Sequence, residues 1–156
     1  MKVIFLDIDG VLNTTRIMIA YGKGVTGSFE EQASRLDPIP ILFLRRLVKY
    51  ADVKIVLSST WRLCKEWREL SEITQLPISA RTPFLDDIRG RDIEKWMTDN
   101  PGVTQYVIID DDSDLLPEQL PHHVLINEQN GISFENMESI CKLLDVDIFD
   151  VGSQTL

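Results

Sequence analysis

Four short segments of the chain are almost continuously apolar, which is typical of strands that are buried on both faces of a parallel sheet. They are KVIFL (2–6), VKIVL (53–57), YVII (106–109) and HVLI (123–126), and PIS (77–79) is a briefer fifth candidate. Parallel strands need long crossover connections, and the intervals between these segments are long enough to hold helices. The pattern predicts an α/β fold with a central parallel sheet.

Four further segments have helical patterns and lie between or after the predicted strands. They are 41–51, 61–70, 91–97 and 133–144. The last begins with Ser133 as a predicted N-cap, and Asn136 occupies the position at which a capping box carries Glu or Gln. Helices that alternate with strands cover both faces of a sheet, so we predict a Rossmann-like arrangement of three layers.

The chain length and two irregular segments define the expected domain organisation. A chain of 156 residues has the size of one domain, to which we assign residues 1–150. Residues 14–36 contain three glycines and no clean period, which indicates a mobile flap over a site or, equally, a plain surface loop. Residues 151–156 are expected to form a frayed tail.

The charge and the cysteine content narrow the class of protein. The formal net charge is −9 and the pI is near 4.6, so the surface repels polyanions, which argues against extended nucleic-acid binding. The apolar runs are too short for a membrane span or a signal peptide. Cys64 and Cys141 have neither metal-binding nor redox spacing. We therefore expect a cytoplasmic protein with reduced thiols.

Side chains that carry oxygen follow three of the predicted strands. Asp7 and Asp9 follow the first, Ser58 and Ser59 the second, and residues 110–112 are three aspartates after the strand 106–109. Because the carboxyl ends of parallel strands meet at one edge of a sheet, these side chains are expected to lie close together. Clustered carboxylates repel unless a cation lies among them, and Mg²⁺ prefers oxygen ligands. The sequence therefore predicts a site for magnesium and phosphate.

Three motifs occur in order at the strand ends: DIDGV (7–11), IVLSS (55–59) and VIIDD (107–111). In this order and spacing they resemble the motifs of the haloacid dehalogenase (HAD) superfamily of phosphotransferases. Three longer segments are LSSTWR (57–62), RGRDIEKW (89–96) and YVIIDDDSDLLPEQ (106–119). They resemble more closely the phosphatase-like domains named after the Swiss Army knife RNA repair proteins.

The resemblance implies roles for the residues of the first two motifs. Asp7 would be the nucleophile that forms an aspartyl-phosphate, and Asp9 would act as general acid and then as general base. Gly10 would allow the tight turn that brings both acids together, and it would lie against the substrate. Ser58 would donate a hydrogen bond to a phosphoryl oxygen, with Ser59 as the neighbouring alternative.

The resemblance also implies a metal site formed by the first and last motifs. Asp110 and Asp111 would hold Mg²⁺ directly or through water, together with the Asp7 carboxylate and the backbone carbonyl of Asp9. The ion would screen the negative charges that otherwise keep a carboxylate from approaching a phosphate. Without metal we expect no turnover.

The third motif of the superfamily usually carries a lysine, and here the sequence departs from it. Arg89, Arg91 and Lys95 lie in the corresponding region. Arg89 directly precedes Gly90, as in the closer group, and we assign it the role of neutralising the nucleophile and the phosphoryl group. Arg91 and Lys95 remain alternatives, although arginine is suited to the role by its planar fork of donors.

Several residues next to the motifs have two alternative roles. Arg62 is assigned to substrate binding, with a structural ion pair as the alternative, and Trp61 is expected in the core. Asn13 and Thr14 either line the pocket or only support the first motif. Asp114 either orients a ligand or caps a helix.

These assignments predict a Mg²⁺-dependent phosphomonoester hydrolase with a minimal cap or none, because the interval between Asp9 and Ser58 is short. An open site admits a phosphorylated small molecule, a nucleotide or a nucleic-acid end as substrate. The alternative function is a non-catalytic module that binds phosphate and Mg²⁺ and has kept the fold. The oligomeric state does not follow from the sequence.

Overall fold

A computed structural model describes residues 1–22, 28–85 and 87–153 of the chain. Its sheet contains five strands: β1 Lys2–Leu6, β2 Val53–Leu57, β3 Ile78–Arg81, β4 Gln105–Asp110 and β5 His123–Leu125. All neighbouring strands are parallel, in the order β3-β2-β1-β4-β5. The predicted α/β fold with a parallel sheet is confirmed, and the brief fifth segment is indeed a strand, shifted toward residue 81.

The helices alternate with the strands as predicted. They are α1 Thr15–Tyr21, α2 Phe29–Ala33, α3 Pro38–Ala51, α4 Trp67–Thr74, α5 Arg89–Asp99, α6 Phe134–Leu143 and α7 Ile148–Ser153. Helix α3 begins earlier than the apolar pattern indicated, because Asp37 caps it by accepting from the backbone N–H of Ile39, and proline is tolerated in a first turn. The Ser133–Asn136 capping box begins α6.

The helix expected at 61–70 is divided. A 3₁₀ turn occupies Thr60–Leu63, and the chain then becomes extended at Glu66 before α4 begins. The turn is closed by the hydrogen bond from the backbone N–H of Cys64 to the Trp61 carbonyl at 3.0 Å. Helical periodicity does not show this break, because apolar residues continue at helical spacing across it.

The segment 14–36 contains two short helices in place of an irregular flap. Thr14 caps α1 by accepting from the N–H of Ile17, and a capping box of Ser28 and Glu31 begins α2. Residues 23–27 lie outside the described residues, so the mobility of the segment stays a prediction. The described residues between β1 and β2 form α1, α2 and α3 without a sheet of their own.

The frayed tail expected at 151–156 is not what the structure has at 151–153. These residues continue α7, Val151 is buried, and Arg46 donates to the carbonyls of Val151 and Gly152 at 3.2 and 3.0 Å. The sequence did not predict this helix, because one buried side chain and two hydrogen bonds from Arg46 produce no clear hydrophobic periodicity. Residues 154–156 lie outside the described residues, and the 1–150 boundary stays a prediction.

The sheet is covered on both faces, and the side chains of β1 are divided between two apolar clusters, one on each face. Ile4 and Leu6 of β1 belong to the larger apolar cluster, whereas Val3 and Phe5 belong to a second cluster with Ile93 and Trp96 of α5. This alternation is the period of two that a strand between two helical layers requires. In the described parts of the chain, no helix is long and apolar enough to cross a membrane.

Candidate active site

The carboxyl ends of β1, β2 and β4 meet at one edge of the sheet. The backbone N–H of Asp7 donates to the Ile109 carbonyl, and that of Ser58 donates to the Leu6 carbonyl, each at 3.0 Å. Strand β1 lies between β2 and β4, so the chain winds to one side after β1 and to the other side after β3. Such a reversal is where open α/β sheets form their binding crevice.

Three carboxylates cluster at this edge. Asp7, Asp110 and Asp111 each offer one oxygen atom, and these atoms lie within 4.8 Å of one another. Asp7 and Asp110 are only 4% and 0% exposed, and Asp111 is half-buried. The structure thus brings together the acids of the first and last motifs. The side chain of Asp9 is exposed, and the predicted metal contact of its backbone carbonyl stays a prediction.

Gly10 makes the close approach of Asp111 possible. Its φ of +69° is in the left-handed region, and a Cβ at this position would lie 2.5 Å from Cγ of Asp111. Any side chain would therefore strain the turn and displace the carboxylate. In this structure, the turn predicted for Gly10 serves the acid cluster, and its contact with substrate stays a prediction.

Arg89 is the cation of the cluster. Its Nη1 lies 3.0 Å from Oδ1 of Asp7 and 2.8 Å from Oδ2 of Asp110. The two alternatives lie elsewhere on α5: Arg91 pairs with Glu94, and Lys95 pairs with Asp99, at exposed positions. The geometry therefore favours Arg89 over both for the role of the third motif.

The segment after β4 holds Arg89 in place. Asp114 caps the start of α5 by accepting from the backbone N–H of Arg89 at 3.1 Å. A Cβ on Gly90 would lie 2.5 Å from the backbone nitrogen of Leu116, so only glycine allows this approach. Buried Gln119 donates to the Gly90 carbonyl at 2.9 Å. These contacts explain why the RG dipeptide and the 106–119 motif occur together in the sequence.

The electrostatics of the cluster favour a bound cation. Burial and the charge of Asp7 raise the pKa of Asp110 to about 7, although Arg89 opposes this shift. Burial and Asp7 also raise the pKa of Asp111. Burial disfavours the charged form of Arg89, but Asp7 and Asp110 outweigh it and raise the pKa of the guanidinium. Three carboxylates against one guanidinium leave two excess negative charges.

The donor set fits a divalent cation. Its ligands are carboxylate oxygens, which hard ions prefer. Oδ2 of Asp110 is buried and has no hydrogen-bond partner among the described residues, since its ion pair with Arg89 lacks hydrogen-bond geometry. A buried oxygen without a hydrogen bond, beside two further acids, fits a metal ligand. The residues that would hold the ion are Asp7, Asp110 and Asp111.

Trp61 holds the carboxylate of Asp9, a contact that the sequence did not reveal. The indole N–H donates to Oδ1 and Oδ2 at 3.0 Å each, and Nδ2 of Asn13 donates to Oδ1 at 2.6 Å. Trp61 is buried as expected, but its polar edge faces the site. Its place two residues after the second motif is a signal that could have suggested this role.

Ser58 and Ser59 are distinguished by the partners of their hydroxyl groups. Oγ of Ser59 accepts from the backbone N–H of Trp61 at 3.4 Å as the cap of the 3₁₀ turn. Oγ of Ser58 is buried and has no hydrogen-bond partner in the described part of the chain. A buried hydroxyl without a partner is costly unless a ligand satisfies it. The geometry therefore favours Ser58 as the phosphate contact.

Arg62 lies beneath the site and not on its open rim. It is 4% exposed, its Nη2 pairs with Oδ2 of buried Asp92 at 2.5 Å, and its Nη1 donates to the Ser58 carbonyl. This placement corresponds to the alternative, a structural ion pair, and the substrate contact assigned to Arg62 stays a prediction. The pair ties the backbone of Ser58 to α5.

The fold and the acid arrangement together define a class of protein. A parallel sheet whose acids follow β1 and β4, with a serine after β2, is a Rossmann-like α/β domain of the HAD type. The family model described as the HAD domain in Swiss Army Knife RNA repair proteins matches residues 3–137, and the chain belongs to this family. This membership confirms the resemblance and suggests a hydrolase of the phosphatase type. Comparisons with curated proteins and with solved structures found no match.

Proposed function

We propose that this domain is a Mg²⁺-dependent phosphomonoester hydrolase that works through an aspartyl-phosphate on Asp7. The observation that carries the proposal is the buried Asp7 carboxylate beside Asp110 and Asp111, with Arg89 Nη1 3.0 Å away. A carboxylate can attack phosphorus only if nearby positive charge reduces its repulsion from the phosphate. Membership of the HAD family supports the same chemistry.

The first half of the reaction transfers the phosphoryl group to the protein. An oxygen of Asp7 forms a bond to phosphorus while the bond from phosphorus to the alcohol oxygen breaks. Asp9, protonated at this stage, gives its proton to the departing alcohol oxygen. Trp61 and Asn13 orient the Asp9 carboxyl group, and Ser58 donates to a phosphoryl oxygen.

The second half releases phosphate. Asp9 takes a proton from water, and the resulting nucleophile attacks phosphorus and breaks the bond to Asp7. Arg89 balances charge on Asp7 and on the phosphoryl oxygens throughout. Asp7, Asp110 and Asp111 would hold Mg²⁺, which would supply charge neutralisation for the phosphoryl group.

The family and the charge support a proposal for the class of substrate. The description of the matched family refers to RNA repair proteins, so we propose a nucleotide or a nucleic-acid end as substrate. The net charge of −9 favours small nucleotides over long polymers. Cys64 and Cys141 are both free thiols, which supports our proposal of a reducing, cytoplasmic location.

Hydrolysis of p-nitrophenyl phosphate with millimolar Mg²⁺ tests the proposal. We expect turnover that stops with a chelator and with Asp7→Asn, because the variant lacks the attacking oxygen. Asp112→Asn is the matched control, since Asp112 is exposed and lies outside the acid cluster, and its carboxylate accepts from the backbone N–H of Ser113. This control should keep activity close to that of the wild type.

A thermal shift separates catalysis from simple binding. Mg²⁺ should raise the melting temperature of the wild type, and Asp110→Asn should reduce that rise. A protein that gains stability with Mg²⁺ but hydrolyses no phosphate ester would instead support the non-catalytic binding module. Full activity in Asp7→Asn would refute the aspartyl-phosphate.

A further inference from the structure

A cavity of about 290 Å³ opens beside Asp9 on the side of α1 and α2. Its polar lining includes Asn13, Thr15 and Gln32, and Glu128 supplies a second carboxylate. Within the described residues, no Lys, Arg or His lines it. The volume is near the lower limit for small-molecule sites, which are about 300–1,000 Å³.

The position of Asp9 identifies what the cavity would hold. In the proposed reaction, Asp9 protonates the oxygen that leaves with the alcohol, so that oxygen must come within hydrogen-bonding distance of this carboxyl group. Trp61 and Asn13 keep Asp9 at the border of the cavity. The cavity is therefore the place for the alcohol portion of the substrate, while the phosphoryl group lies at Asp7.

The turn that carries Glu128 is fixed by hydrogen bonds. The backbone N–H of Thr15 donates to the Glu128 carbonyl at 3.1 Å, and the backbone N–H of Arg16 donates to the Gln129 carbonyl at 3.0 Å. Oδ1 of Asn127 accepts from the N–H of Gln129 at 3.0 Å. The start of α1 and this turn thus form one wall.

We propose that Glu128 makes this cavity select an uncharged, hydroxyl-bearing leaving group, such as the sugar of a nucleoside, and reject one that carries a second phosphate. The inference rests on the proposed phosphatase function. Glu128 and Asp9 repel an additional phosphate, and no cationic side chain among the described residues of the lining offsets that repulsion. A carboxylate and neutral amide and hydroxyl groups instead accept hydrogen bonds from sugar hydroxyls.

The experiment compares kcat/KM for two pairs of substrates with Mg²⁺ present. Adenosine 5′-monophosphate and adenosine 3′-monophosphate are each compared with adenosine 3′,5′-bisphosphate, and p-nitrophenyl phosphate serves as the reference. The variants are Glu128→Gln and Glu138→Gln. Glu138 is also an exposed glutamate, but it lies on α6 and does not line the cavity, so it controls for net charge.

The wild type should prefer a monophosphate, and Glu128→Gln should reduce that preference by about threefold or more, as expected for the loss of one partly screened charge. Glu138→Gln should leave it within about twofold, since a distant exposed charge is screened. Glu138→Gln should also keep activity toward p-nitrophenyl phosphate close to that of the wild type, and the preference of each variant is expressed as a ratio of its own kcat/KM values. Melting temperatures close to that of the wild type would confirm that both variants are folded.

Three results would overturn the inference while leaving the phosphatase intact. They are equal kcat/KM for monophosphate and bisphosphate, a preference that Glu128→Gln leaves unchanged, and an equal change in Glu138→Gln. Absence of turnover for every ester, including p-nitrophenyl phosphate, would instead overturn the proposed function and this selectivity together.

Discussion

The indole N–H of Trp61 lies 3.0 Å from each carboxylate oxygen of Asp9. Phe29, the first residue of α2, packs on the indole with ring centroids 4.6 Å apart. The acid proposed to transfer protons is thus held by a residue of the 3₁₀ turn, and that residue is held in turn by the segment between β1 and β2. The orientation of Asp9 depends on both.

Trp61→Phe removes this hydrogen bond but keeps an aromatic ring. A hydrogen bond to a charged group is worth about 1.5–3 kcal/mol, so kcat should fall by about ten- to a hundredfold. KM should change little, because the proposed role of Asp9 is in proton transfer and not in phosphate binding. Steady-state kinetics with p-nitrophenyl phosphate measure both constants. Trp67→Phe, in the half-buried face of α4, is the control, and an equal loss of kcat there would argue against the positioning role.

Alanine at Gly10 should damage the metal site more than alanine at Gly22. Both glycines have a φ close to +70°, so each variant should lose about 1–2 kcal/mol in the free energy of unfolding from backbone strain. Gly22 has no described atom within 4 Å of an added Cβ, whereas at Gly10 that Cβ would collide with Asp111. Gly10→Ala should therefore also weaken the rise in melting temperature with Mg²⁺. If both variants respond to Mg²⁺ as the wild type does, Asp111 is not a ligand.

Arg89→Ala should lower kcat/KM by about ten- to a hundredfold, because the charged contacts to Asp7 are lost. Arg91→Ala and Lys95→Ala should stay within about twofold of the wild type, since their ion pairs are exposed. The comparison uses kcat/KM for p-nitrophenyl phosphate at saturating Mg²⁺. A larger loss in either control would move the third-motif role to that residue.

The stability of the metal-free protein should fall as the pH rises toward neutrality. The pKa of Asp110 is about 7 in the folded protein against 3.8 for an ordinary aspartate. The folded state therefore binds this proton more tightly, and the stabilisation is complete below the lower pKa and is lost as the pH rises through the higher one. Asp110→Asn should flatten the decline in melting temperature between about pH 4 and about pH 7.5, measured with a chelator present. Asp112→Asn should keep the wild-type slope, and a slope unchanged in Asp110→Asn would contradict the assignment.

The sequence predicted the strands and the meeting of the acids because both depend on local patterns. Continuous apolar runs define buried strands, and a residue that directly follows a parallel strand must lie at the carboxyl edge. To choose between Ser58 and Ser59, the end of the strand must be known to within one residue, and a hydrophobic pattern does not locate it so closely. The structure favours Ser58, because the Ser59 hydroxyl group accepts a hydrogen bond from Trp61 whereas that of Ser58 has no partner among the described residues.

Contacts between side chains that are distant in sequence could not be predicted. The bond from Trp61 to Asp9 and the pair of Arg62 with Asp92 depend on the break before α4, which helical periodicity conceals. For the same reason, the sequence did not show that Arg62 donates to the carbonyl of Ser58. A polar residue directly after a strand indicates that a site is near. The direction in which its side chain points, however, is set by tertiary packing.

The pairing of β1 with β4 has a consequence for biosynthesis. Leu6 lies opposite Ile109, and the chain between them includes β2, β3 and five helices of the described structure. A nascent chain that emerges from the ribosome therefore carries Asp7 long before Asp110 is translated. The cluster of three carboxylates can form only after the segment through Asp111 has left the exit tunnel.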